Sequence, residues 1–232
     1  MNKTKIEWCD STLNPVVGCT YGCEYCYARK MNNRFKWIED FSKPQFFPER
    51  LEQLKSKKPQ IIFMDSMSDI ADWEDEWIIE TFKAIGDNPQ HRYLFLTKRI
   101  DEYMEKALKT EKIRNAMLAL NPLYYFGHTI DTQIRLNKLK YDVDFYSVEP
   151  ILEPIEFYND DLAYSQWVIL GAETGNRKDK VVPEKEWIDD IVEKCRINNS
   201  PIFMKDSLIP IIGEENMLRE FPEGLRRSNG QH

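Results

Sequence analysis

The chain has 232 residues, with 32 Lys and Arg against 39 Asp and Glu, for a net charge of −7. Hydrophobic residues make up 42% and charged residues 31%, which suits one globular core, and no run of about 18 apolar residues is present to span a membrane. A protein that gripped duplex nucleic acid chiefly through its phosphates would be basic, so the acidic balance argues against that class. It leaves open a local patch such as Lys98-Arg99 or Arg226-Arg227, and nucleic acid stays an open partner that net charge does not support. The polar, mixed start Met1–Trp8 does not read as a signal peptide. Five cysteines, neither even in number nor dense, point to reduced thiols and a cytoplasmic protein.

In chain order, a short strand is expected at Val16-Val17, directly before a cysteine-rich loop at 18–28. Six continuous apolar runs follow, at Ile61–Met64, Tyr93–Leu96, Leu123–Phe126, Phe145–Val148, Trp167–Leu170 and Ile202–Met204. Continuous rather than alternating runs fit strands covered on both faces, as in parallel sheets. Helical patterns lie between them. Glu74–Ile85 carries Ile78, Phe82 and Ile85 on one stripe, with Asp72 and Asp75 suited to its cap and first turn. Asp101–Leu120 reads as one helix ending at Asn121-Pro122. Glu184–Cys195 aligns Trp187, Ile188, Ile191, Val192 and Cys195, which makes Cys195 a buried small hydrophobe. Residues 141–166 are too short for full helices on both sides of their strand. The alternation, without a Gly/Ser linker, predicts a single α/β domain over 1–232 with a C-terminal tail from about 208.

Cys19, Cys23 and Cys26 form a Cys-x3-Cys-x2-Cys run. Thiolates this close converge on one metal centre, and three ligands leave one coordination position open, the mark of a catalytic site. Iron–sulfur clusters usually take four Cys thiolates, so a substrate or cofactor would supply the fourth ligand. The rival is structural zinc completed by Cys9; no second Cys or His couple exists for it, and His91, His128 and His232 lie far off in sequence.

Each apolar run ends in polar residues: Asp65-Ser66 with Ser68-Asp69, Thr97-Lys98-Arg99, His128-Thr129 with Asp131, Glu149, Glu173-Thr174 and Lys205-Asp206. In barrel enzymes the active site lies at the C-terminal face of the strands. If the strands close into a partial barrel, Asp65, Lys98, Glu149 and Glu173 are expected to share one cavity with the cysteine loop at its mouth. Singly, such residues are as well explained by solvent contact or helix capping.

The cysteine run, with Tyr25 just before its third cysteine, resembles the cluster signature of the radical S-adenosylmethionine (SAM) superfamily. Ile6-Glu7-Trp8, Asn14-Pro15, Ser66–Asp69, Leu96–Arg99, Ser147–Pro150, Gly171-Ala172-Glu173 and Arg219–Pro222 together resemble a phage- and prophage-associated domain family of unknown function that is itself radical-SAM-like. Two features depart from it. The first and second cysteines are separated by three residues where members often have more, and Gly-Ala-Glu stands where they tend to have Gly-Gly-Glu. The shorter gap moves the chain toward the general radical SAM pattern.

The resemblance implies a partial (β/α)6–7 TIM-like barrel of parallel strands, of radical SAM type. It further implies a 4Fe–4S enzyme of unidentified substrate, with a nucleotide or nucleic-acid base as one option. Cys19, Cys23 and Cys26 would bind three irons, and SAM would chelate the fourth. Reductive cleavage of SAM to methionine and a 5′-deoxyadenosyl radical then abstracts substrate hydrogen, fed by an electron donor such as flavodoxin or ferredoxin. Tyr25 is expected near the adenine, and Asp65, Ser66, Ser68 and Asp69 near the methionyl amino group. Thr97 and His128 are further cofactor candidates, and Lys98, Glu149 and Glu173 are the catalytic candidates. Two other classes stand beside this: a non-catalytic zinc- or cluster-stabilised binding module of phage origin, and a barrel hydrolase using Glu149 and Glu173, which would leave the cysteines idle.

Overall fold

The computed structural model describes residues 2–225; Arg226, Arg227 and His232 lie outside the described residues. The chain forms two compact units, the first running to Phe126 and the second starting at Gly127.

In the first unit, β1 (Asn2–Lys3) pairs antiparallel with β2 (Ser11–Thr12), and β2 pairs parallel with a later strand, Ile61–Phe63. Between them come β3 (Val16–Val17), the cysteine loop, α1 (Tyr27–Phe35) and β4 (Gln45–Phe46). Strand β5 (Ile61–Phe63), helix α2 (Asp75–Gly86) and β6 (Arg92–Thr97) follow, with β5 and β6 parallel. Their continuous apolar sequences are explained by burial: Ile62, Tyr93, Leu94 and Phe95 are fully inside.

Val16-Val17 is a strand, but it pairs antiparallel with β4 in a separate two-stranded sheet. The strand beside β5 is Ser11–Thr12, which no apolar run marks. The helix expected over 101–120 is two, α3 (Ile100–Lys109) and α4 (Glu111–Leu120). Thr110 leaves the helical region at φ −95°, ψ 102°, and its hydroxyl donates to Asp75 Oδ2 at 2.8 Å. That side-chain bond gives the break a tertiary anchor. Asp72 does not cap α2, whose N-cap is Glu74.

The second unit carries the later part of β7 (Tyr124–Thr129), α5 (Gln133–Asn137), β8 (Phe145–Val148), α6 (Asn159–Leu162), β9 (Trp167–Leu170), α7 (Lys185–Ile197), β10 (Ile202–Met204) and α8 (Ile209–Ile212). β7–β8, β8–β9 and β9–β10 are all parallel. The protein thus has an α/β fold built on parallel strands. Its 218–221 segment covers the end of this unit: Arg219 bridges Phe203 antiparallel, and Phe221 packs against the Trp167 ring at 5.2 Å. Cys195 is fully buried on α7.

Candidate metal loop and the two sets of strand ends

Gly18 opens the cysteine loop at φ +116°, and a Cβ there would stand 2.7 Å from Pro44 Cα, so only glycine fits. Its N–H donates to Met67 O at 3.0 Å, which sets the loop beside the segment that follows β5. Cys19 and Cys26 pack against a buried cluster of Val17, Ala28, Ile38, Phe41 and Met67. All three loop thiols are half-buried, and no disulfide joins any cysteines among the described residues.

Two backbone N–H groups point at these sulfurs. Tyr21 N–H donates to Cys19 Sγ at 3.5 Å, and Arg29 N–H donates to Cys26 Sγ at 3.3 Å. Cys26 is the N-cap of α1, so its sulfur occupies the place a capping oxygen would take. Such donors to thiolate sulfur are one of the levers that tune iron–sulfur centres. Burial, joined by the Asp69 and Asp72 carboxylates, pushes the Cys19 thiol up to about 12 despite the Tyr21 N–H and Arg99. A metal taken up here must displace that proton. Among the described residues no three His, Cys, Asp or Glu side chains stand close enough together to hold an ion. The fit to a cluster therefore rests on the donor chemistry of the loop, half-buried thiols with N–H groups aimed at sulfur.

The loop is clamped by Asp72, expected from sequence only as a cap for α2, and by Arg99 just beyond β6. Asp72 accepts from Thr20 N at 2.8 Å and from the Thr20 hydroxyl at 2.7 Å. Its Oδ1 also lies 2.7 Å from a guanidinium nitrogen of Arg99, and the two side chains are only 7% and 14% exposed. Burial alone would raise the Asp72 carboxyl, but the Arg99 and Thr20 bonds outweigh it and hold it below the usual carboxylate range. The Lys98-Arg99 pair that follows β6, expected from sequence as a strand-end group and a local basic patch, was the available signal.

The cofactor candidates of the first unit are spread along this clamp. Asp65 is 1% exposed and its carboxylate accepts from Leu96 N at 3.0 Å. Burial pushes its pKa well up. Ser66 donates to Asn14 Oδ1 at 3.0 Å, and its carbonyl accepts the Tyr27 hydroxyl at 2.6 Å. Ser68 Oγ accepts from Trp73 Nε1 at 3.0 Å. Asp69 accepts from the Thr97 hydroxyl at 2.5 Å and from Lys98 N at 3.2 Å. These four therefore shape the loop and strand ends from inside. Tyr25 and Lys98 differ: the Lys98 ammonium stands 5.2 Å over the Tyr25 ring, joining the cysteine loop to the end of β6.

In the second unit each acidic candidate meets a cation. Glu149 is paired with Lys205. A Cβ on Gly171 would come 3.1 Å from Glu149 and 3.2 Å from Lys205, so this glycine leaves room for the pair. Glu173 is 3% exposed and holds Arg177 at 2.8 Å through both oxygens. Asp131 and Arg135 make a further pair at 2.6 Å. His128 is buried on β7. The sequence marked the acids; it did not mark Arg177 and Arg135 as their partners four residues on.

Residues 3–208 match the family described as "Protein of unknown function (DUF5131)". The chain belongs to this family. Over 72 residues it is also 35% identical to "Uncharacterized protein MJ0683" of Methanocaldococcus jannaschii, a match that covers 30% of this chain and 27% of that protein. The chain thus spans about a quarter of the length of the curated relative it matches. No solved structure matches. Neither printed description carries an activity, so this DUF5131 chain must be read from its own residues.

Proposed function

We propose that the chain is a radical SAM enzyme whose cysteine loop holds an iron–sulfur cluster. The observation that carries this reading is the loop itself: Cys19, Cys23 and Cys26, half-buried within one short loop, with backbone N–H groups directed at two of the sulfurs. Those three thiols would hold the cluster. Once bound, it would supply one electron, delivered by a donor of the flavodoxin or ferredoxin class, to cleave SAM into methionine and a 5′-deoxyadenosyl radical that takes hydrogen from the substrate.

The chain's own residues do the rest. Gly18 turns the loop, and Asp72 with Arg99 fixes Thr20 so that Cys19 keeps its place against the Val17–Met67 cluster. That apolar backing limits water on one side of the thiols. Tyr25 and Lys98 offer a ring face and an ammonium together, suited to an adenine and a carboxylate. Asp65, Ser66, Ser68, Asp69 and Thr97 position the strand ends that carry this couple. In the second unit, Glu149 with Lys205 and Glu173 with Arg177 are the candidates for substrate contact, beside His128. The parallel α/β architecture fits the partial barrel that the radical SAM resemblance implies, and reduced thiols fit the cytoplasm.

The test is a dithionite-reduced assay of anaerobically reconstituted protein with SAM, read by mass spectrometry. The proposal expects slow formation of 5′-deoxyadenosine and none from a Cys19, Cys23, Cys26 triple alanine variant. Colourless protein containing zinc and making no 5′-deoxyadenosine would replace it with the structural binding module.

A further inference from the structure

Large exposed hydrophobics are concentrated on one short stretch: Tyr27, Met31, Phe35 and Trp37 are 48%, 39%, 51% and 40% exposed. Tyr27, Met31 and Phe35 are spaced i, i+4, i+8, which sets them along one side of α1. The same stretch, 27–37, carries Arg29, Lys30, Arg34 and Lys36 and no acidic residue, in a chain whose net charge is −7. Glu24, Glu39 and Asp40 flank it, and Asp40 is occupied by Ser42 and Lys43.

The rings are held in place rather than left loose. Asn32, buried on the inner side of α1, donates to Ile38 O at 2.9 Å and accepts from Ile38 N at 3.1 Å. Lys36 ends the helix in the left-handed region at φ 54°, and its N–H donates to Asn32 O at 2.7 Å. This reversal brings Trp37 back onto Phe35, with centroids 5.3 Å apart and planes 23° from parallel. The Arg34 guanidinium lies 5.1 Å over the Phe35 ring. A buried polar residue with both of its amide functions satisfied thus fixes two stacked aromatic planes in solvent. Core packing gives no reason for that arrangement.

We infer that this face of α1 binds single-stranded nucleic acid. Exposed aromatic planes interleaved with Arg and Lys are the features on which such strands dock, bases on the rings and phosphates on the cations. Charge complementarity favours a polyanion. Fixed stacked planes favour one that presents unpaired bases over an acidic protein or a duplex. Cys26 caps the start of the helix, so a strand lying along it reaches the cysteine loop. Binding by this face stands apart from the cluster reading; only the idea that the strand is the substrate rests on it.

The experiment is fluorescence anisotropy with labelled single-stranded DNA and RNA of about 10 nucleotides, using the full chain. Affinity is expected to fall about 20- to 50-fold as salt rises from roughly 50 to 200 mM, the slope for three to four phosphate contacts on a single strand. Phe35→Ala and Trp37→Ala should each weaken binding about 5- to 150-fold, the range for loss of one stacked base, with circular dichroism unchanged because both rings are exposed. Lys30→Glu with Arg34→Glu should remove most of the salt dependence. The same measurements on the parent chain before and after anaerobic iron reconstitution separate the two readings, since oligonucleotide binding should already be present in the iron-free protein. Duplex bound as tightly as single strand would overturn the inference. So would ring variants that bind like the parent, or poly-glutamate displacing the oligonucleotide while the ring variants stay unaffected, which would make this a surface for an acidic protein.

Discussion

The two units meet the same problem, polar side chains at the ends of parallel strands, in different ways. In the first, the carboxylates and amides take backbone N–H groups: Asp65 takes Leu96 N, Asp69 takes Lys98 N, Asp72 takes Thr20 N while also holding Arg99, and Asn14 takes Met67 N. The result is a scaffold that fixes one loop and leaves its thiols as the chemically distinctive groups. In the second, the acids bind cations: Glu149 with Lys205, Glu173 with Arg177, Asp131 with Arg135. Those pairs are nearly neutral and partly desolvated, so each member is costly to remove singly. Residue type at a strand end therefore says little by itself; what the side chain binds says whether it builds or reacts.

The sharpest way to break this comparison is at the thiols. Replacing Cys19, Cys23 and Cys26 with Ala is expected to remove essentially all iron from reconstituted protein, while Cys9→Ala and Cys195→Ala, both at buried cysteines, leave it nearly unchanged. If Cys9→Ala loses metal as fully as Cys23→Ala, a four-thiolate structural site replaces the open one.

Next in size is the clamp. Asp72→Ala takes from the largely buried Arg99 its shortest carboxylate contact, with Glu102 at 3.3 Å and Asp69 at 4.0 Å remaining, and leaves Thr20 N without its acceptor. A loss of about 3 kcal/mol in denaturant unfolding is expected, with poorer iron loading. If Asp72→Ala changes stability no more than an exposed surface substitution does, the loop is not held by the Asp72–Arg99 pair. In the second unit, Glu173→Gln keeps the shape but removes the charge that holds Arg177. A cost of about 2 kcal/mol is expected, and it should fall when Arg177→Ala is added, as a double-mutant cycle would show.

Asp65 supplies a pH signature confined to the first unit. Its folded pKa is raised by burial and by the neighbouring Asp69, so the folded state holds a proton that the unfolded chain gives up near pH 4. Stability from this group is therefore present at low pH and declines as pH rises from about 4 toward the raised folded value. Asp65→Asn should flatten that slope in chemical denaturation, and an unchanged slope would place the charge elsewhere. The smallest effect on stability is expected from Lys98→Ala, under about 0.5 kcal/mol, together with weaker SAM binding by calorimetry.

Much of this was legible in the sequence. Each of the six apolar runs falls in a parallel strand, because strands buried on both faces must be largely apolar. The burial of Cys195 followed from the 3.6-residue stripe of α7. What hydrophobicity could not show was β2, whose Ser11-Thr12 is polar and only two residues long. Nor could it show the break at Thr110, which depends on a hydrogen bond to Asp75, 35 residues away. Spacing singled out the three loop cysteines, and the structure shows all three half-buried. The Asp72–Arg99 clamp was not legible, because it joins residues from three separate segments through side chains whose types also suit caps and solvent.

The central claim is that three thiols hold a cluster with a coordination position open to SAM. Electron paramagnetic resonance of anaerobically reconstituted, reduced protein tests it directly. The account predicts an iron–sulfur signal that changes when SAM is added. An intact cluster whose spectrum does not respond to SAM would contradict it.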